Sequence, residues 1–552
     1  MDPASRRAPS LASSLPSATL SSQQKSWLLS ASLCHTLDRV NVLGDTTSGH
    51  TGCVNALSWA NNGELLISGG DDTTVRLWRI DPSDSSREYP FVCNAVIHTG
   101  HRANIFNAQM LPNSSRIATV AGDGQVRISD AGSAVGQPSL GNETELTTRQ
   151  ANIRILRCHS GRVKRIVTEE SPDLFLTVSE DGTVRQHDLR VSHGCQSGSC
   201  PTPLVRLDHE LSTLALSPLT PYQFIVAGES PFGYLFDRRH AGRFLEEEWG
   251  MVPNSDNVTT CVRRFGRAAH GPAERRGHEH ITGAKMASSN GHEVLLSYSG
   301  DAVYLYSTRD EPHSSSKSGH DSIVSPNTNA NPAQNPSTII GERHEAVLGP
   351  DTDVRMEEDI EQLLTEHGLI PDAPSSPLTG PGEDQEDGSD DEDDVAYPAD
   401  EVFSNVPIIL PRARFAGACN VETVKDVNFL GPRDDFVTSG SDDGNFFVWC
   451  KSTGKIHDIL EGDGSVVNVV EGHPYLPLLA VSGIDTTVKL FAPAHGRSAF
   501  SRMEKHDDIV RRNTEASSRR LDLSSLFLQY AIARRVAEGN TGNENATQCT
   551  YQ

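Results

Sequence analysis

Three histidines in this chain each precede an aspartate by 22 residues: His50/Asp72, His101/Asp123 and His159/Asp181. A histidine beside a carboxylate can act as a general base or help to hold a metal. Either use needs several such groups in one place, whereas each pair here sits in its own copy of a longer repeat. The pairs therefore read as structural, with each aspartate bonding backbone amides of its turn and orienting its histidine. Ten cysteines are scattered along the chain with one close pair, Cys195-x4-Cys200. A zinc centre usually takes four clustered ligands and no second pair stands nearby, so these read as reduced thiols. No metal and no cofactor is expected. No Ser/His/Asp set has suggestive spacing, and catalysis is not expected either.

The repeat that carries the pairs is visible in "GHTGCVNALSWANNGELLISGGDDTTVRLW" (49–78), "GHRANIFNAQMLPNSSRIATVAGDGQVRIS" (100–129) and "CHSGRVKRIVTEESPDLFLTVSEDGTVRQH" (158–187). Four worn copies follow, and the strand-closing positions are Trp78, Ser129, His187, Phe236, Tyr306, Trp449 and Phe491. Asp443 and Asp485 keep the turn of the last two copies without a histidine at the matching upstream place. Those two units are expected to be less tightly tied. Repeats of about 40–45 residues with a Gly-His start and a Trp-Asp end are the mark of WD40 propeller blades. Each copy holds short alternating strands that cannot bury both faces alone, so neighbours must pack radially. The expected fold is all-β, a seven-bladed WD40 β-propeller. "LDRVNVLGD" (37–45) is placed to supply the outer strand of the last blade.

One gap breaks the rhythm. Tyr306 and Trp449 lie much farther apart than their neighbours, and a polar stretch over 309–404 accounts for the excess. The organisation expected is a disordered N-terminus with a possible helix (1–36), blades one to five (37–308), a disordered acidic insertion (309–404), blades six and seven (405–495) and a helical tail (496–552). The run 383–394 alone holds nine carboxylates, and the net charge is −25, which disfavours direct nucleic-acid binding through phosphates. The basic loop 262–280 offers little to stack bases on beyond Phe265 and reads as solvated. Short helices are expected at 351–372, 525–539 and 22–37. No apolar window approaches the roughly 20 residues that span a bilayer. The N-terminus has no continuous apolar secretory segment; a disordered tail is expected, with a transit peptide as the alternative.

The ends of blades three and four differ from the rest. They read "HDLR" and "FDRR", each with an aspartate two places before an arginine: Asp188/Arg190 and Asp237/Arg239. A guanidinium is planar, always charged and able to make paired bonds to carboxylates or carbonyls. Two on consecutive blades would form a small directional docking face on one rim; the alternative is that each merely pairs with its own aspartate. With "GHRANIFNAQMLP", "SEDGTVRQHDLR", "VLLSYSGDAVYLY" and "VTSGSDDGNFFVW", these boxes make the chain resemble the WD40-repeat cullin-4-associated factors, in particular nuclear receptor interaction protein and its relatives.

That resemblance implies a non-enzymatic substrate receptor of a ubiquitin ligase, found in nucleus and cytoplasm. It would dock on the damaged-DNA-binding-protein adaptor through Asp188, Arg190, Asp237 and Arg239 and present an unknown protein substrate. The family's tryptophan is replaced in both boxes, by His187 and Phe236. A ligase-independent scaffold or a transcription or chromatin cofactor is the rival reading.

Overall fold

The computed structural model describes residues 21–45, 48–135, 143–195, 200–240, 261–267, 280–312, 403, 406–494 and 496–517. The expected helices at 351–372 and 525–539, the acidic run and most of the basic loop lie outside the described residues. Seven sheets of four or five strands form a β-propeller. Blade three is representative: Val163–Thr168, Leu174–Ser179, Thr183–Asp188 and the short Val205–Arg206, all antiparallel. Adjacent blades share cores. Leu176, Val178 and Val184 of blade three pack with Leu214, Phe224, Val226 and Phe236 of blade four. At about 25 cal/mol per Å² of apolar surface removed from water, such seams supply most of what orders the ring.

Closure follows the expected route. Leu37–Leu43 pairs antiparallel with Val488–Pro493, with Leu43 opposite Val488, so blade seven takes its outer strand from the start of the chain. The helix Ser22–Leu33 precedes that strand. Its N-cap Ser21 side chain accepts from the Gln24 amide, and the Gln24 side chain accepts from the Ser21 amide in a capping box.

The polar insertion does not fall between blades five and six as expected: it separates the third strand of blade five from its outer strand, and the chain that follows it completes blades four and five. Ile408–Ile409 adds in parallel to the last strand of blade four, Cys261–Phe265. Ala413–Phe415 then pairs with Val303–Ser307 as the outer strand of blade five, Val303 facing Phe415 and Leu305 facing Ala413. The two sides of the gap also meet through side chains: Arg412 Nε donates to Asp310 Oδ2 at 2.7 Å.

Blades six and seven are not the loosely tied units expected from their missing histidines. In blade six the Lys425 side chain is fully buried. Its ammonium bonds Asp442, the Thr423 carbonyl at 2.9 Å and Asn468 Oδ1 at 3.2 Å. The turn residue Asp443 accepts from Asn513 Nδ2 at 3.1 Å, on a helical stretch over 506–517 whose Ile509 packs against the blade-six core. In blade seven Lys489 bonds Asp485 and lies 3.4 Å from Asp463. An amide from outside the repeat serves the turn carboxylate of blade six, the Lys489 ammonium of the blade's own third strand serves that of blade seven, and Lys425 adds a buried ion pair at the neighbouring Asp442.

Candidate protein-docking rim at blades three and four

The histidine–aspartate pairs form buried relays, one in each of blades one, two and three. In blade one His50 Nδ1 donates to Asp72 Oδ2 at 3.0 Å, and Nε2 accepts from Ser68 Oγ at 2.8 Å. Ser68 in turn accepts from the Trp78 indole at 2.8 Å. Blade two repeats the first two links, His101 to Asp123 at 3.0 Å and to Thr119 at 2.9 Å. In blade three His159 reaches Asp181 at 3.1 Å and Thr177 at 2.8 Å. Burial pushes the Asp181 carboxyl up, but the bonds from His159, Thr183 and the Ser160 amide outweigh it and hold the group far below the usual carboxylate range. Nothing in this arrangement is open to a substrate, so the spacing is architectural. Trp449 of blade six is buried and donates to the Ala416 carbonyl at 3.0 Å.

His187 occupies the tryptophan place of blade three. It is buried, stacked on Phe175 with centroids 5.0 Å apart, and its Nε2 lies 2.8 Å from Thr177 Oγ1. In blade four Phe236 fills the same place by stacking on Phe224 at 5.7 Å. The strand that leads to each box therefore keeps its anchor without an indole.

Each box aspartate ends the third strand of its blade, opposite the first residue of the second strand: Asp188 faces Leu174 and Asp237 faces Gln223. The boxes are thus equivalent points on neighbouring blades. Arg190 pairs with its own aspartate through Nε at 2.9 Å and Nη2 at 2.7 Å, yet its side chain stays 63% exposed. Arg239 does the same through Nε at 3.0 Å and Nη2 at 2.5 Å, and is 59% exposed. Both arginine amides also donate to the aspartate, at 2.9 and 3.0 Å. The two sequence alternatives, pairing within the box and presentation at the rim, coexist. The aspartate holds one edge of the guanidinium and sets the direction of the rest.

Neighbours missed in the sequence complete the rim. Arg239 lies over the Tyr222 ring with its guanidinium carbon 3.7 Å from the centroid, a cation–π arrangement. Arg238 reaches back to blade three, donating to Glu169 Oε2 at 2.9 Å and Gln186 Oε1 at 3.2 Å, which ties the two boxes together. Arg154, on the outer strand of blade two (Asn152–Leu156), donates to the carbonyls of Leu189 at 3.0 Å and Val191 at 2.7 Å. Arg190 is thereby gripped on both sides. None of these contacts has a short-range sequence signal.

The expectation of scattered thiols fails at one place. Cys158 and His193 stand beside Cys195 and Cys200, and the four ligand atoms lie within 4.8 Å of one another. Cys158 was missed because it comes from the loop that leaves blade two. No helix among the described residues is long and apolar enough to cross a membrane.

Seven blades, the first three with buried aspartate–histidine relays, define a β-propeller with WD40-type repeats, a fold that generally serves protein interaction. A family model for the WD domain, G-beta repeat, matches residues 42–79. The chain is 34% identical to the WD repeat protein iqw1 of Schizosaccharomyces pombe over 48% of this chain and 32% of that protein. It is 25% identical to Protein ALTERED SEED GERMINATION 2 of Arabidopsis thaliana over 91% of this chain and 94% of that one. With human DDB1- and CUL4-associated factor 6 it shares 29% identity over 48% of this chain and 28% of the relative. The match thus spans about a third or less of the first and last of these.

Proposed function

We propose that this protein is a non-enzymatic substrate receptor. It docks through the rim carrying Arg190 and Arg239 onto the damaged-DNA-binding-protein adaptor of a cullin-4 ubiquitin ligase and presents a protein target. The observation that carries the reading is the paired geometry: two equivalent guanidiniums on adjacent blades, each oriented by its own aspartate and each more than half exposed. The relative whose name records association with DDB1 and CUL4 supports the choice of partner.

Because each arginine is already charge-compensated, the contact is directional rather than a general cationic attraction. Pre-orientation lowers the side-chain entropy lost on docking. The chemistry of ubiquitin transfer belongs to the partner enzymes. The propeller contributes position, raising the effective concentration of target lysines near the charged ubiquitin carrier. On this reading the protein works in the nucleus and cytoplasm.

Co-purification from cells tests it. Arg190→Glu with Arg239→Glu abolishes adaptor recovery while thermal unfolding of the ring stays unchanged. Undiminished adaptor recovery from the folded double variant would leave the rival reading, a ligase-independent scaffold or transcription or chromatin cofactor.

A further inference from the structure

The structure assigns Cys158, His193, Cys195 and Cys200 to a structural zinc site that pins the long outer loop of blade three to the exit of blade two. The Cys158 thiol sulfur is 3.2 Å from His193 Nε2 and 3.6 Å from the Cys195 sulfur, and Cys195 is 3.4 Å from the same nitrogen. Zinc bonds of about 2.3 Å to sulfur and 2.0–2.1 Å to nitrogen imply tetrahedron edges of about 3.8 Å between sulfurs and about 3.6 Å from sulfur to nitrogen. The observed separations are close to that figure already. A small inward cation would need only a slight spread of the four side chains.

The donor set selects the metal class. Three thiolates and one neutral imidazole suit zinc, whereas calcium and magnesium take oxygen donors. Four protein ligands close the coordination sphere, so the role is structural and not catalytic. Binding exchanges one Zn²⁺ for three thiol protons, giving a site of net charge −1 with no change of oxidation state.

The fold gives such a site something to hold. Cys158 stands just past the outer strand of blade two, Asn152–Leu156, with Arg157 between, while the other ligands lie between Thr183–Asp188 and Val205–Arg206. The beginning of that loop is held by Arg154, through the carbonyls of Leu189 and Val191. Its end is held by Arg185, which donates to the Pro201 carbonyl at 2.8 Å, and by the Leu204 amide on the Val184 carbonyl at 2.8 Å. The ligand cluster sits between these two anchorages. His193 comes three residues after Arg190, so the metal would also steady the rim, although the site stands whether or not the rim docks a ligase adaptor.

Metal analysis of the full chain, purified reduced and without a metal-affinity step, tests the assignment. One zinc per chain and no iron is the expected result, with near-complete loss in Cys195→Ser/Cys200→Ser. Should that variant fold poorly, the wild-type chain stripped by chelator is titrated with cobalt(II). One equivalent then gives the strong visible absorption of a tetrahedral thiolate complex, and added zinc displaces it. Zinc retained by the folded double variant, iron in place of zinc, a Cys158–Cys195 disulfide in the reduced preparation, or a wild-type chain that gives no tetrahedral cobalt spectrum would each overturn it.

Discussion

His187 Nε2 stands on Thr177 Oγ1 at 2.8 Å, the relation that the Trp78 indole has to Ser68 Oγ in blade one. The hydrogen order is fixed by Asp181. It takes the Nδ1–H of His159, so His159 Nε2 must accept from the Thr177 hydroxyl, and Thr177 can then only accept from His187. A histidine in its Nε2–H form thus stands in for an indole N–H. Burial, reinforced by the nearby charge of Arg185, pushes His187 well below its ordinary range and keeps it neutral.

Substitutions at His187 separate ring from hydrogen bond. His187→Phe keeps the stack on Phe175 and loses one buried bond, at a cost of about 1 kcal/mol. His187→Ala removes the ring as well and costs about 3 kcal/mol, in the range for emptying a buried aromatic site. Urea unfolding of the two variants checks the order; equal losses would mean that the stack on Phe175 contributes nothing.

Acid should weaken the ring before carboxylates titrate. Burial lowers both His209 and His473 to about 4 in the folded protein, against about 6.5 unfolded. Between those values the unfolded chain binds more protons, so stability is full above about pH 6.5 and falls as pH drops toward 4. Each histidine contributes about 1.4 kcal/mol per pH unit in that window. The partners explain the direction. His473 Nδ1 accepts from the Tyr475 and Leu476 amides at 3.0 and 2.9 Å, which a proton there would break. Melting curves of His473→Asn across pH 7 to 4 should show a shallower decline than those of the parent chain.

The Lys425 ammonium is expected to be indispensable to blade six. Lys425→Met leaves Asp442 buried with only the Val421 and Glu422 amides, and breaking a buried pair from one side costs about 3–5 kcal/mol. Chemical denaturation measures it, and a loss below about 1 kcal/mol would show that the pair holds little of the blade together.

The box aspartates should matter to docking without carrying it. Asp188→Asn with Asp237→Asn retains both guanidiniums but releases one edge of each. Adaptor recovery is expected to fall several-fold and less than with charge reversal of the arginines. Quantitative co-purification of the two double variants side by side decides this.

Local pattern made much of the fold legible. The 22-residue His–Asp interval and the strand-closing positions announce the blades, and Leu37–Leu43 alternates well enough to be assigned to the closing blade. Contacts made by distant segments left no such trace. Asn513 serves the Asp443 carboxylate in place of a histidine from a distant helical stretch at 506–517. The same limit hid Cys158, which lies 35 residues before its histidine partner and meets it only because blades two and three pack side by side. The arginine boxes stood out because both halves are neighbours in the chain; Arg238 and Tyr222, which orient them, did not.

The Asp310–Arg412 contact and the strand Ala413–Phe415 make blade five a clasp across residues that follow one another only after a long detour. A protease that cuts anywhere within that detour should yield two fragments that migrate as one particle until denatured. Length there is also inexpensive in evolution, since doubling a closed excursion costs only about 0.6 kcal/mol. Descendants of this gene can therefore lengthen, shorten or rewrite it while the disc that carries it stays shut.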